Sequence, residues 1–361
     1  MTNTKSNSII SSILQLLIIT LIISLSINCD EDDIDDGYTG PWVEVPTPGG
    51  CGHLNACYFN SSDDGWACGS RGDSPYPVLI HWNGVEWEEY PYGGWFGEED
   101  FGDIALFDIS FSGPNDGWCV GNYAYEHQKR YGIILRYDGE EWYLFEENLG
   151  EQVSSVYTLT TDNVWFNVFE GGRSTLYNWN GKELIEYYTS TPNDGLSDID
   201  FYSSDNGLAV GDLAAVYHWN GSSWEELYYD PLVFTIFMEV SFDTPTTAYI
   251  VGENWVTGEN ELWRYDGGDI VRLRDWQEYK SVRIIDFISQ DNGWIFGYYY
   301  PDHDPLHGIP CTWHWNGDDW ILEEGPDDMV GYGIYCLDYY NIWIVGMKGG
   351  PLCCSWRYRE D

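Results

Sequence analysis

The chain has 361 residues, with 60 acidic against 15 basic side chains and a formal charge of −45. That balance excludes nucleic acid as a partner, because binding phosphates needs a basic footprint, and it disfavours anionic lipid surfaces. The sequence is 17% aromatic, with 20 Trp and 40 Gly, and shows no sustained 3.6-residue apolar period after residue 30, so the expected class is all-β with many tight turns.

Residues 1–28 read as an export signal. Lys5 gives a positive start, Ile9 to Leu25 is apolar, and Ser26-Ile27-Asn28-Cys29 follows. The arrangement resembles a bacterial lipoprotein signal, which implies that Cys29 is lipidated and becomes the first residue. An uncleaved membrane anchor is the other reading, since the apolar run is nearly of spanning length. Either reading places the domain outside the cytoplasm. A lipid anchor implies the cell envelope, at the outer membrane or the cell surface, with membrane contact through that anchor alone. Residues 29–40 include the run DEDDIDD (Asp30 to Asp36) and read as a solvated acidic tether.

Residues 41–361 carry a repeat. HWNGVEW (His81 to Trp87) returns as RYDGEEW (Arg136 to Trp142), NWNGKEL (Asn178 to Leu184), HWNGSSW (His218 to Trp224), RYDGGDI (Arg264 to Ile270) and HWNGDDW (His314 to Trp320). Asn-Gly and Asp-Gly between apolar runs predict hairpins closed by two-residue type I′ turns, with both turn residues at positive φ. The spacing of about 47 residues per copy fits a four-stranded propeller blade, for which roughly 40–50 is usual.

Each unit also has a front half: an alternating strand, an acidic turn, then an aromatic strand ending in Gly. Its anchors are Trp66, Trp118, Trp165, Leu208, Tyr249, Trp294 and Trp343. Nine residues before them stand Cys57, Ile109, Val156, Ile199, Val240, Ile285 and Ile334, all core types. Seven front halves and six back halves leave one strand missing. Trp42 to Thr47 resembles a fourth strand and is expected to close the last blade with three C-terminal strands. The predicted architecture is a seven-bladed β-propeller with blades near 53–92, 103–147, 152–188, 195–229, 237–274, 281–324 and 330–361 plus 42–47. Such closure removes free sheet edges.

The front motif, an acidic turn followed by residues such as Gly65-Trp66-Ala67-Cys68-Gly69, resembles the photosystem II assembly-factor propellers of bacteria and plastids. It is also similar to Asp-box (BNR, sialidase-type) repeats. Those families carry an Asp-Gly-Gly-x-Thr-Trp-like turn where this chain has Trp-Asn-Gly-x-x-Trp. The resemblance implies the fold and leaves function open. A sialidase would need clustered arginines and a Tyr–Glu nucleophile pair, but the ten arginines are scattered. Arg136, Arg264 and Arg357 occupy a repeat position, as do His81, His218 and His314, which reads as structure.

Site candidates fall on the face carrying the longer links. Segments 91–105, 122–132, 253–261 and 298–309 offer Tyr92, Trp95, Phe96, Tyr123, Tyr125, Trp255, Tyr299 and Tyr300 beside Glu98 and Asp100. Aromatic platforms among acids suit sugars, basic protein segments or cations. The expected function is a non-catalytic binding or scaffold propeller recognising a protein or glycan on this face. The alternatives are a glycan-active, sialidase-like hydrolase and a calcium-stabilised structural surface protein. No cofactor is expected, and a divalent cation stays open. Asp302, His303, Asp304 and His307 have ligand types that suit zinc. Eight Cys remain besides Cys29. Cys57 and Cys68 are expected to face each other across the first hairpin, as a disulfide or as two buried thiols, and Cys51 with Cys353 or Cys354 is placed to staple the closure.

Overall fold

Each copy of the repeat folds into a four-stranded antiparallel sheet, and seven such sheets stand in a ring. The computed structural model describes residues 41–71, 76–91, 103–125, 129–191, 194–273, 280–300, 308–349 and 352–358. Six sheets follow chain order from their inner to their outer strand. They start at His53–Ser61, Ile104–Gly113, Gln152–Thr160, Leu196–Ser203, Thr235–Thr244 and Lys280–Ser289. The seventh takes Met329–Asp338, Asn341–Lys348 and Leu352–Tyr358 and receives Trp42–Val45 as its outermost strand. Successive inner strands touch one another round to the first, so the ring closes on itself.

The closure is knit by side chains as well as by the ladder. Trp42 pairs with Tyr358 and Val45 with Ser355. A disulfide joins Cys51 to Cys353, and Thr47 Oγ1 donates to the Cys353 carbonyl at 3.0 Å. Ser355 Oγ donates to the Val45 carbonyl at 2.9 Å and accepts Trp87 Nε1 of the first blade at 2.9 Å.

The core lies between blades, because each sheet is apolar on both faces. Trp343 and Val345 of the seventh blade pack with Phe59, Ile80 and Trp87 of the first. The other face of the first blade buries Trp66 and Leu79 against Leu106, Ile109 and Leu135 of the second. The aromatic anchors are the knobs of these interfaces, and Trp118, Trp294 and Trp343 are wholly buried. At about 25 cal/mol per Å² of apolar surface, buried rings of this size dominate the cohesion of the ring of blades.

Opposite each anchor stands a polar residue of the third strand, as in Trp66–His81, Trp118–Arg136, Trp294–His314 and Trp343–Arg357. That residue turns to the acid or amide that opens the second strand, except in the fifth blade, where Arg264 pairs with Asp266 of its own strand. Asp64 meets His81 at 2.7 Å, and Asp116 meets Arg136 at 2.9 Å. Asn206 meets His218 at 2.9 Å, and Asn292 meets His314 at 3.2 Å. The repeated histidines and arginines are therefore hairpin pins. Burial lowers the values of His218 and His314 and favours their neutral forms.

Two local expectations are corrected. The Asn-Gly loops are four residues long, not two: Trp82 pairs with Trp87 around Asn83 to Glu86. Asn83 Oδ1 accepts the amides of Val85 and Glu86 at 3.0 Å, and Gly84 supplies the positive φ of 91°. Asp138, Asn180, Asn220 and Asn316 do the same in their copies. The side chain caps the turn as an Asx motif, which spares the Asn a left-handed backbone. Of the Asn-Gly and Asp-Gly copies, RYDGGDI alone has a two-residue turn with both central residues at positive φ, Gly267 at 64° and Gly268 at 136°.

The second correction concerns register. Tyr58 lies opposite Trp66, so Cys57 faces Ala67 and Cys68 faces Ala56, and the two cysteines do not face each other. An irregularity between Phe59 and Ser61 shifts the pairing by one residue, and one residue moves every side chain to the other face. Cys57 then belongs to the interface with the seventh blade and Cys68 to the interface with the second; both are thiols. Among the described cysteines the single disulfide is Cys51–Cys353, and Cys354 is a buried thiol. Each inner strand carries a second irregularity near its start, between Leu54 and Ala56 in the first blade and between Leu106 and Asp108 in the second. There the strand presses on its neighbour: a Cβ on Gly69 would strike the His53 carbonyl, and one on Gly121 the Ala105 carbonyl. That contact explains why the front motif ends in Gly.

Candidate functional site

The two faces of the ring differ. One carries the short capped turns between third and fourth strands and the turns between first and second strands, such as Ser61 to Asp64. The other carries the blade-to-blade links and the links from second to third strand. Second strands run toward this long-loop face, so their ends, Tyr125, Asn254 and Tyr299, stand at its rim.

Of the aromatic candidates, Trp255 is 57% exposed. Tyr299 and Tyr300, on the next blade, are half-buried. Tyr123 is buried: its ring stacks on Tyr131 at 5.2 Å and its hydroxyl donates to Asn148 Oδ1 at 3.1 Å. It pins a loop and offers no platform. The backbone of Tyr125 ends a strand in the same blade. The blades place Tyr123 and Tyr125 in the second unit, and Trp255, Tyr299 and Tyr300 in the adjacent fifth and sixth. Tyr92, Trp95, Phe96, Glu98 and Asp100 lie outside the described residues, as do Cys29 and the group Asp302, His303, Asp304 and His307. Among the described residues no set of three His, Cys, Asp or Glu side chains is arranged to hold a metal ion. No helix among them is long and apolar enough to cross a membrane.

The axis of the ring holds a second feature, which the sequence reading missed. Two contiguous cavities of about 320 and 510 Å³ run along the inner strands. They meet at a level formed by Tyr58, Ser110, Tyr157, Asp200, Ser241, Asp286 and Tyr335. Asp108, Asp198 and Glu239 line the upper one. These acids have a common task. The inner strand of each blade is a sheet edge, so its outward amides lack ladder partners. In the third, fifth, sixth and seventh blades the preceding blade supplies them. Asp108 Oδ2 accepts the Val156 amide at 2.8 Å, and Asp198 Oδ2 accepts that of Val240 at 3.0 Å. Asp200 Oδ2 accepts that of Phe242 at 2.7 Å, Glu239 Oε2 that of Ile285 at 2.9 Å, and Asp286 Oδ2 that of Cys336 at 2.6 Å. Ser110 and Ser241 perform the same role for Thr158 and Phe287.

Burial raises these carboxyls strongly. It pushes Asp108, Asp200 and Asp286 up to about 7 and Asp198 to about 6, with backbone hydrogen bonds opposing the shift. Glu239 is raised well above the usual range by burial and then by the neighbouring Asp198. The signal was in the sequence: the clips stand immediately before or after four of the core positions nine residues ahead of the anchors, Ile109, Ile199, Val240 and Ile285.

No protein-family model matches the chain, and no curated protein sequence matches it. Solved structures share its shape. YCF48 bound to D1 peptide superposes with a TM-score of 0.62 at 15% identity, covering 90% of this chain and 98% of that one. YCF48 from Cyanidioschyzon merolae gives 0.61 at 14%, covering 88% and 98%. The GH74 xyloglucanase from Xanthomonas campestris gives 0.59 at 10%, covering 84% of this chain and 53% of that one. At such identities the likeness is one of fold, and the fold shared by these proteins and this chain is the β-propeller.

Proposed function

We propose that the chain is a non-catalytic scaffold that binds a polypeptide on its long-loop face while a lipid on Cys29 holds it to the cell envelope. The observation that carries this reading is the contrast between faces. One is sealed by near-identical capped turns, while the other varies from blade to blade and exposes aromatic side chains such as Trp255. Varied loops on a rigid frame are where recognition concentrates. The charge of −45 favours a partner segment carrying Lys or Arg. A propeller of similar shape is solved with a peptide bound, which supports the same class of ligand.

The enzyme alternative needs free carboxylates, one as acid and one as nucleophile or base. In Asp108, Asp198 and Asp200 both oxygens already accept hydrogen bonds, which favours a structural role for them. The test is panning of a random dodecapeptide library on the full-length protein. Enrichment of Lys- or Arg-containing peptides whose affinity falls with added salt supports the proposal. No enrichment, or hydrolysis of xyloglucan or sialosides by the purified protein, overturns it.

A further inference from the structure

The long-loop face has a built apolar patch in the fifth blade. It lies on the link 229–234, which precedes the inner strand Thr235–Thr244, and on the loop 255–258, which follows the second strand Thr247–Asn254. Leu232 is 79% exposed, Phe234 39%, Trp255 57% and Val256 63%. Phe234 and Trp255 meet edge to face at 5.5 Å, and the Trp255 amide donates to the Phe234 carbonyl at 3.1 Å.

Hydrogen bonds hold the two loops as one piece. Asn254 Nδ2 donates to the Val233 carbonyl at 2.7 Å, and its Oδ1 accepts the amides of Val256 and Thr257 at 3.1 Å. Asp230 Oδ1 accepts the Leu232 amide at 2.9 Å, and the Asp230 amide donates to the Leu213 carbonyl at 3.1 Å. The backbone here is strained. Phe234 has a φ of 54°, and Leu213 and Ala214, in the segment that Asp230 grips, have 56° and 57°. Such a conformation in a non-glycine residue persists where the surroundings enforce it. Strained backbone is thus presenting an aromatic pair to solvent.

Charge selects the occupant. Residues 225–263 carry eight acidic side chains and no Lys or Arg. Glu253 and Glu259, beside the patch, are exposed. A second copy of this chain, at −45, and an anionic membrane are both repelled. We infer that Leu232, Phe234, Trp255 and Val256 are the anchor of the long-loop face, taking an apolar side chain of a polypeptide whose adjacent Lys or Arg meets Glu253 and Glu259. This rests on the polypeptide-binding reading above.

The probe is a fluorescein-labelled decapeptide of alternating Leu and Lys, with all-Lys and alternating Leu–Glu decapeptides as controls, titrated against the full-length protein by anisotropy. The Leu–Lys peptide is expected to bind more tightly than either control. Trp255→Ala weakens it about tenfold or more, as expected for loss of an aromatic anchor, with melting unchanged. Phe234→Gly also weakens binding but keeps or raises the melting temperature, because Gly accepts positive φ without cost. Unchanged affinity in both variants overturns the patch and leaves polypeptide binding standing. No binding by this peptide or by any panned peptide removes the functional reading itself. Binding to phosphatidylcholine vesicles, or a dimer that Trp255→Ala abolishes, assigns the patch another occupant and overturns the inference.

Discussion

The Asp108 carboxylate and the Val156 amide meet at 2.8 Å across the interface between the second and third blades. The same arrangement recurs from the fourth blade to the seventh, so the inner edges of the sheets are stitched by side chains where a flat sheet would offer another strand. Asp108 also accepts the Ile109 amide through its other oxygen. Asp108→Ala orphans two backbone amides, each worth about 1–3 kcal/mol when buried and unsatisfied. The expected loss is therefore about 2–6 kcal/mol in denaturant unfolding; a loss below about 1 would contradict the role given to this carboxylate.

The same acids set a pH dependence. Their folded values are raised to about 6 or 7 against an ordinary carboxyl near 4, so the folded protein holds protons that the unfolded chain releases. Stability from this source is greatest below the ordinary carboxyl value and falls as pH rises through about 4 to 7. Around them Tyr58, Tyr157, Tyr335, Cys57 and Cys336 are raised by burial and stay neutral across that window. The melting temperature is expected to be higher at pH 5.5 than at pH 8, and Asp286→Asn to flatten the difference. A melting temperature that falls on acidification over this range contradicts the account.

The closure of the ring rests on the Cys51–Cys353 bond, which spans 302 residues of sequence. Loop-closure entropy for so long a span gives about 6 kcal/mol, and measured effects usually reach about 2–4. Cys51→Ser is expected to lower the unfolding free energy by about that measured amount, with fraying of Trp42–Val45 visible as faster amide exchange. Cys354→Ser, at a buried thiol next to the bridge, serves as the control and leaves the exchange of that strand unchanged.

The capped turns make a local prediction. Asn83→Ala removes the acceptor of two amides and is expected to cost about 1 kcal/mol, whereas Asn83→Asp, which keeps the acceptor, costs less. Equal losses in thermal unfolding would show that the Asx cap is not what holds the turn.

Blade number and closure were legible because Asn-Gly or Asp-Gly turns and aromatic anchors recur at fixed offsets, and a strand like Trp42–Val45 matches the fourth of each unit. The register was not. The irregularity between Phe59 and Ser61 inserts one residue without any change in the apolar pattern, so Cys57 and Cys68 read as partners although they face different interfaces. The axial carboxylates were hidden for another reason. In a strand, an acid alternating with Ile or Val reads as facing solvent, as at Asp108-Ile109 and Asp198-Ile199. Here these acids lie along the free edge of the inner strand, beside a narrow axis lined with edge amides. Tyr123 failed as a platform because its hydroxyl finds Asn148 and its ring finds Tyr131, contacts that no spacing reveals.

Amide hydrogen exchange of the full-length protein, with and without a peptide selected from the random library, tests the central claim most directly. The account predicts slowed exchange in residues 229–234 and 253–259 on the long-loop face, with the capped turns at 83–86 and 138–141 unaffected. Protection confined to those turns, or none on the long-loop face at saturating peptide, would contradict it.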